Sequence, residues 1–277
     1  MLNKLIRKTR RNKKPMTNGI IGRLKFGLGN QLFIYAACIA TQKVFNFPIY
    51  LYNDKSVTKN YRPFFKNTHI TNRLPAKKTE NVYSLNGVHL NVWKIEDIPS
   101  HTNIIILNSF FHSLTTIRSV IPEVRENILS VLSTKYSVKI DADSGFIHVR
   151  RGDYVKGMWK GAFNNLDSNY YSAGIKVVQE ANTNLKKWYI FSDDIKYCKK
   201  QEWSTTLPIE YYDSSDELEC LYAMSKCKSG AVIANSTYSW WGAVLGCGLD
   251  GKVVRPKKYF SYDDELLNLY PDVWVSL

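Results

Sequence analysis

A run of charged residues and one histidine marks the end of an apolar stretch in the second half of the chain. The stretch, residues 145–149, predicts a buried strand, and period-two alternation puts His148 and Arg150 on one of its faces. An arginine at the end of a parallel strand can hold a phosphate through two parallel N–H donors. The alternative is a structural ion pair, Arg151 with Asp153, that braces the following loop. The chemistry indicated is recognition of a phosphate-bearing ligand.

Two aspartates follow a second predicted strand, residues 187–192. One of Asp193 and Asp194 is predicted to cap the next helix, because carboxylates are favoured at that position. The other could accept hydrogen bonds from a base or a sugar. These residues therefore join the candidate ligand site.

A hydroxyl-rich segment follows a third predicted strand, residues 230–234. Ser236, Thr237 and Ser239 stand where a helix begins. Hydroxyl groups and unpaired amides at a helix N-terminus form a natural phosphate site. The structural alternative is an ordinary helix cap followed by two buried tryptophans.

A glycine loop near the start of the chain is a fourth candidate. Residues 19–24 predict a strand, and an apolar helical pattern begins after Gly27-Leu28-Gly29-Asn30, with Asn30 as the predicted N-cap. Such a loop alone is weak evidence for a ligand site.

These candidates belong to elements that alternate regularly in the second half. Four strand–helix steps in this region predict a parallel, doubly wound sheet, whose ligands lie beyond the carboxyl ends of the strands. The predicted strands are 145–149, 187–192, 208–212, 230–234 and 252–255, and the helices are 168–181, 193–201, 215–227 and 237–247.

The first half carries fewer signals. Its predicted elements are strands at 48–52 and 103–107 and a helix at 114–132, in which Pro122 marks a kink or break. A polar linker at 136–143 sets the domain boundary. The predicted organisation is a basic disordered tail at 1–18, an N-terminal α/β domain at 19–140 and a C-terminal Rossmann-like domain at 141–277.

Charge and composition exclude several classes. The net charge of +14 over 277 residues suits an anionic partner. Seven of the basic residues lie within residues 1–14, whereas residues 145–277 carry 16 basic and 16 acidic residues, which argues against nucleic-acid binding. The longest apolar run has nine residues, Leu32–Ala40, against about 20 for a membrane span. The five cysteines form no CxxC pair, so we expect reduced buried thiols, and no metal site is predicted.

Four segments together resemble a known family. In order, Gly27–Gln31, His148–Asp153, Phe191–Asp194 and Asn235–Gly242 resemble the motifs of the α-1,2-fucosyltransferase family, glycosyltransferase family 11. Residues 107–112 resemble a divergent form of a further family segment, with His112 where a glutamine is usual.

The resemblance implies a GT-B-like α/β fold, with two Rossmann-type halves and a donor cleft between them. It implies transfer of L-fucose from GDP-fucose, with inversion and without metal or cofactor, to a galactose-containing glycan that docks on the N-terminal half. The resemblance implies that Arg150 holds the β-phosphate of the donor. It implies that His148, together with Asp193 or Asp194, contacts the guanine. It also implies that a hydroxyl of Ser236, Thr237 or Ser239 contacts phosphate, and that Gly29 and Asn30 approach the donor from across the cleft.

Several points stay open at this level. Asp153 is the nearest candidate for a catalytic base, and a mechanism with little base assistance is the alternative. Another GDP-sugar or linkage, a member that binds without transfer, and a basic nucleic-acid-binding protein are the competing functions. The lack of an apolar anchor resembles bacterial members, so we expect a cytoplasmic protein. Its residues 1–14 are either a solvated tail or a weak anchor to the inner face of a bacterial membrane.

Overall fold

Two parallel β-sheets form the framework. The computed structural model describes residues 17–74, 81–86, 94–157, 159–261 and 268–277. The predicted tail, apart from residues 17 and 18, lies outside the described residues, as does the predicted membrane contact of residues 1–14.

The first sheet has the strand order β3-β2-β1-β5-β4, and every pairing is parallel. Its strands are β1 (Gly19–Leu24), β2 (Ile49–Asn53), β3 (Thr68–Ile70), β4 (Val82–Asn86) and β5 (Ile104–Asn108). The helices of this half are α1 (Leu28–Phe45), α2 (Leu114–Ile117) and α3 (Ile121–Lys135).

The second sheet has the order β11-β10-β9-β6-β7-β8 and is also parallel throughout. Its strands are β6 (Ser144–Val149), β7 (Lys187–Ser192), β8 (Ile209–Tyr211), β9 (Ala231–Val232), β10 (Val253–Arg255) and β11 (Val275–Ser276). Its helices are α4 (Gly152–Lys156), α5 (Ser168–Ala181), α6 (Ile195–Cys198), α7 (Glu217–Lys226) and α8 (Thr237–Gly246). The predicted α/β, GT-B-like class is confirmed.

Some predicted elements differ from the observed ones. The helix predicted at 114–132 is divided by a 3₁₀ turn at Arg118–Val120, and Pro122 lies in the first turn of α3, where its missing N–H costs nothing. The helix predicted at 193–201 is a single turn, α6.

The two halves share one apolar core. Helices α1 and α3 of the first half pack against α7 and α8 of the second, and α5 covers the opposite face of the second sheet. The Phe33 ring of α1 lies 4.8 Å from the Trp240 ring and 5.2 Å from the Trp241 ring, both in α8. The carboxyl ends of the first strands of both sheets, β1 and β6, are therefore held close to the boundary between the halves. No helix in the described part of the chain is long and apolar enough to cross a bilayer.

Candidate active site

Arg150 follows β6 and is held by two carboxylates. Its guanidinium lies 2.6 Å from Asp153 Oδ1 and 3.1 Å from Asp193 Oδ2. Burial alone would lower the pKa of Arg150, but the charges of Asp193 and Asp153 outweigh it and raise that pKa. A guanidinium has five N–H groups, so two carboxylates fix its orientation and leave donor capacity for an anionic ligand.

Arg151 makes a different contact from the one predicted. Its Nε lies 3.3 Å from Asp194 Oδ2, and its guanidinium stacks 3.4 Å above the centre of the Tyr197 ring. The structural alternative named for this loop, an ion pair of Arg151 with Asp153, is replaced by one of Arg150 with Asp153, because the first turn of α4 brings Asp153 to Arg150.

The two aspartates after β7 hold the loop after β6. Asp194 caps α6 and accepts from the Tyr197 backbone N–H at 3.1 Å, which confirms that one of the pair is a helix cap. Asp193 Oδ1 accepts from the Arg151 backbone N–H at 2.9 Å. A Cβ at Gly152 would lie 2.5 Å from Asp193 Oδ2, so this glycine allows the carboxylate to approach Arg150.

His148 is buried and neutral. Its Nδ1 lies 2.9 Å from Ser239 Oγ, which also accepts from the Ala234 backbone N–H at 3.0 Å. Burial, with a smaller contribution from the charge of Arg150, lowers the pKa of His148 to about 3. Ser239 is completely buried, and its hydroxyl is directed at protein groups. This position does not agree with the predicted phosphate contact of Ser239, and it assigns Ser239 to orienting His148.

The start of α8 is only partly available to a ligand. Ser236 is the N-cap residue, and within the described residues its hydroxyl makes no capping bond. The Thr237 hydroxyl donates to Asn30 Oδ1 at 3.2 Å and also bonds the buried Tyr259 hydroxyl. Among the described residues, the hydroxyls of Thr237 and Ser239 bond other side chains, and that of Ser236 does not.

Gly29 and Asn30 meet this same helix from the first half. A Cβ at Gly29 would overlap the Tyr238 backbone and lie 2.5 Å from Thr237 Oγ1, so only glycine permits this approach. The prediction of Asn30 as N-cap is wrong, because α1 begins at Leu28 with Gly27 as its cap. Asn30 instead uses its side chain to bond Thr237 across the boundary between the halves.

Three further residues support the site without having been predicted to do so. Gln31 is buried and donates to the Phe26 carbonyl at 2.7 Å and to the Lys59 carbonyl at 3.1 Å, which fixes the loop after β1. Tyr154 donates to the Asn235 carbonyl at 3.0 Å. Gln31 belongs to the glycine motif, and Tyr154 directly follows the His148–Asp153 motif. Nothing local in the sequence marks Tyr259.

His112, noted in the sequence as a departure from the family pattern, also reaches this site. Its Nε2 lies 3.1 Å from Asn30 Oδ1, and its ring lies 5.0 Å from the Phe33 ring. The loop after β5 therefore touches the first turn of α1 at Asn30, the residue that bonds Thr237 of α8.

The chemistry of the site is that of charged and hydroxyl side chains. In the described part of the chain, no group of three or more His, Cys, Asp or Glu side chains is arranged to hold a metal ion. The five cysteines are unpaired. Three of them are buried as predicted, whereas Cys220 and Cys247 are partly exposed.

Two parallel α/β halves, with a charged cluster at the strand ends of the second half beside the first turn of α1, form a GT-B-like architecture. The chain belongs to glycosyl transferase family 11, whose family model matches residues 27–275. The match includes all four predicted motifs, so the protein is a glycosyltransferase of the fucosyltransferase-like family expected from them.

Two curated relatives from Escherichia coli extend over nearly the whole chain. An O-antigen biosynthesis glycosyltransferase, WbnK, is 27% identical over 92% of this chain and 99% of its own length. An alpha-1,2-colitosyltransferase is 25% identical over 93% of this chain and 98% of its own length. The chain is therefore similar to both over more than nine-tenths of its length.

Solved fucosyltransferases show weaker similarity. FUT1 from Arabidopsis thaliana, solved in complex with GDP, has a TM-score of 0.49 and 13% identity, covering 87% of this chain and 71% of its own. Fucosyltransferase NodZ from Bradyrhizobium has a TM-score of 0.45 and 13% identity, covering 82% of this chain and 92% of its own. The family membership rests on the family match and not on these similarities.

Proposed function

We propose that this protein is an inverting glycosyltransferase that moves L-fucose from GDP-fucose to a glycan hydroxyl, O-2 of a terminal galactose. Membership of family 11 supports the reaction type. The GDP complex of the FUT1 structure and the alpha-1,2 linkage named for one relative are in accord with this donor and linkage.

The observation that carries the proposal is the preorganised Arg150 guanidinium. During transfer the bond between the sugar's anomeric carbon and the β-phosphate oxygen breaks, and negative charge grows on that phosphate. A fixed arginine stabilises this charge where it develops, which is the largest kind of catalytic contribution. The acceptor oxygen forms the new bond to the anomeric carbon, and its proton leaves to a base or to water.

The other site residues divide between donor binding and support. We assign His148, Asp193 and Asp194 to the side of the cleft where the guanine binds, and Ser236 to a phosphate. Gly29 and Asn30 close the cleft from the first half. Thr237 and Ser239 act through Asn30 and His148, because those residues already bond their hydroxyls.

Asp153 has two possible roles that an experiment separates. Its salt bridge to Arg150 supports a positioning role. If it positions Arg150, Asp153→Asn lowers kcat but leaves the shape of the pH–rate profile unchanged. If it is the catalytic base, the acidic limb of that profile disappears in the variant. Arg150→Ala serves as the comparison, because it removes the partner and leaves the carboxylate.

A second candidate differs in the donor sugar. The relative described as an alpha-1,2-colitosyltransferase covers nearly the whole chain, so transfer of colitose instead of fucose is the specific alternative. The residues around Arg150 would serve either donor, since they act on phosphate.

A donor panel tests the proposal. The purified protein is incubated with GDP-fucose, GDP-colitose or GDP-mannose and a set of β-galactosides, and GDP release and product mass are measured. We expect acceptor-dependent GDP release with GDP-fucose. Release with GDP-colitose alone would move the assignment to the second candidate, and no release with any donor would contradict both.

A further inference from the structure

Three half-buried aromatic side chains from the two halves meet at the boundary between the halves. Phe26 follows β1, Phe110 follows β5 and Trp159 follows β6 and α4, so all three lie beyond carboxyl ends of strands. The Phe26 ring lies 5.7 Å from the Phe110 ring and 6.0 Å from the Trp159 ring. We call Phe26, Phe110 and Trp159 the aromatic wall.

The backbone that holds the aromatic wall is strained. Phe26 has a φ of 51° and Phe111, next to Phe110, has a φ of 55°, a left-handed conformation that bulky residues rarely adopt. The Gln31 amide fixes the first of these turns through the Phe26 carbonyl. Strain of this kind persists where the surroundings enforce it and is concentrated at functional sites. Two adjacent strand ends are thus shaped to present aromatic rings.

Ring contacts connect the aromatic wall to Arg150. The Trp159 ring lies 6.0 Å from the Phe163 ring, which stacks 4.0 Å from the Tyr154 ring. The Arg150 guanidinium lies 5.5 Å from the centre of the Tyr154 ring. The wall is therefore continuous with the end of the cleft assigned to the donor phosphates.

A second set of contacts reaches the glycine loop. The Phe110 ring lies 5.4 Å from the His112 ring, whose Nε2 lies 3.1 Å from Asn30 Oδ1. The aromatic wall thus adjoins the proposed donor site on two sides.

One lysine accompanies the aromatic wall. Lys25 Nζ lies 5.5 Å from the centre of the Phe110 ring and 3.5 Å from the Asn108 carbonyl. Burial lowers the pKa of Lys25. An apolar surface with a few placed polar groups is the usual composition of a small-molecule site.

We propose that the aromatic wall binds the apolar face of the acceptor's terminal pyranoside, with Lys25 donating to one of its hydroxyls. This inference rests on the proposed function. One face of a galactopyranoside ring presents C–H groups, which pack on aromatic rings much as apolar side chains do. Because Trp159 comes from the second half, the acceptor lies between the halves and not on the first half alone.

Acceptor kinetics test this site. Trp159→Ala and Phe110→Ala are each expected to raise the KM for a β-galactoside about five- to tenfold. The dissociation constant of GDP, measured by calorimetry, should stay within about twofold of wild type because neither ring belongs to the proposed donor contacts. Trp159→Phe keeps a flat ring and should recover most of the acceptor affinity.

Phe47→Ala is the matched control. Phe47 is also half-buried and contacts another aromatic ring, Phe45, but it precedes β2 at the opposite end of the first sheet. Its removal should leave the acceptor KM unchanged. Where an alanine variant fails to fold, Trp159→Leu and Phe110→Leu replace it, since leucine retains volume without a flat face.

The outcomes separate the two proposals. A wild-type protein that binds GDP and transfers sugar, together with folded variants of normal acceptor KM, would overturn the aromatic wall and leave the proposed function standing. A wild-type protein that neither binds GDP nor transfers sugar would overturn both. A variant that weakens GDP and acceptor equally would also contradict the inference, because the wall would then support the whole cleft.

Discussion

At the scale of single residues, the charges around Arg150 serve orientation more than stability. Arg150 and Arg151 face three carboxylates, and the Arg150 side chain and its partners remain about a third exposed, at 33%, 38% and 26%. Ion pairs with that exposure contribute on the order of 1 kcal/mol or less to folding. A fixed arginine beside a leaving phosphate is worth roughly 3–4 kcal/mol to the transition state. Loss of Arg150 should therefore affect turnover far more than stability.

Arg150→Ala is predicted to lower kcat at least about a hundredfold while the melting temperature changes little. Arg150→Lys retains the charge without the two-pronged geometry and should recover only part of the rate. Steady-state kinetics and thermal unfolding of both variants check this. Near-normal turnover in a folded Arg150→Ala protein would remove Arg150 from the mechanism.

His148 predicts a pH dependence of stability. Its pKa is about 3 in the folded protein against about 6.5 when unfolded, so the unfolded chain binds more protons between these values. The contribution of neutral His148 to the free energy of unfolding is complete above about pH 6.5 and is lost as the pH falls toward 3. In this range the free energy of unfolding is expected to rise with pH by up to about 1.4 kcal/mol per pH unit. Urea unfolding from pH 7 to 4 should show a shallower slope in His148→Gln, and equal slopes would contradict the burial of a neutral imidazole.

At the scale of elements, the approach of α1 to α8 decides whether the cleft forms. Gly29 in the first turn of α1 lies against the first turn of α8, and Asn30 bonds Thr237 there. These two helix starts place the residues of the glycine motif beside the hydroxyl-rich motif. The two motifs depend on each other although they are about 200 residues apart.

Gly29→Ala is predicted to destabilise the protein by about 1–3 kcal/mol, because its Cβ would overlap the α8 backbone. It should also lower kcat, since Asn30 would move away from Thr237. Gly27→Ala is the control, because a Cβ there meets no atom within 4 Å in the described structure and its φ of −76° suits alanine. Equal melting temperatures for the two variants would show that the close approach is absent.

The sequence predicted elements well where local signals determine them. The helix at 168–181 and the strand at 187–192 have the predicted bounds, because their apolar periodicity and caps lie within the segment itself. The strands of the first half between residues 53 and 103 were not predicted. Their stability comes from pairing with β2 and β5, and their own sequences carry little apolar pattern.

The residues of the site could be predicted from the sequence, but the ion pairs and hydrogen bonds between them could not. His148, Arg150, Asp193 and Asp194 were identified because they follow parallel strands. The pairing of Arg150 with Asp193 is tertiary, spanning 43 residues, and no local pattern reports it. The sequence predicts a phosphate contact for the Ser239 hydroxyl, but in the structure this hydroxyl is buried against His148. That burial depends on how β6 and α8 pack, which no local pattern reports.

At the scale of the whole molecule, the shared core makes the halves one unit. Apolar residues of α1, α3, α7 and α8 form one continuous cluster that includes Phe33, Trp240 and Trp241. An interface formed by the apolar faces of these four helices disfavours independent movement of the halves. The predicted boundary at residue 140 falls between the two sheets, and the shared core extends across it.

Calorimetry is predicted to show one unfolding transition for the full chain, with equal calorimetric and van't Hoff enthalpies. Residues 141–277 expressed alone should lack cooperative unfolding, since the faces of α7 and α8 that contact α1 and α3 would be exposed. Two separate transitions in the full chain would contradict a shared core.

The net charge of +14 is distributed in accord with a nucleotide-sugar ligand. Residues 145–277, which carry the residues around Arg150, have equal numbers of basic and acidic side chains. Under the proposed function, recognition of phosphate there depends on the placed Arg150 and not on bulk charge. A weak contact of residues 1–14 with an anionic membrane surface stays a prediction.

The structure of the transfer product tests the central claim most directly. Wild-type protein is incubated with GDP-fucose and a β-galactoside, and the linkage and anomeric configuration of the product are determined by NMR. We predict a fucosyl residue on O-2 of galactose, with its anomeric configuration inverted relative to the donor. A product with retained configuration, or no product with any galactoside while GDP-fucose is bound, would contradict the account.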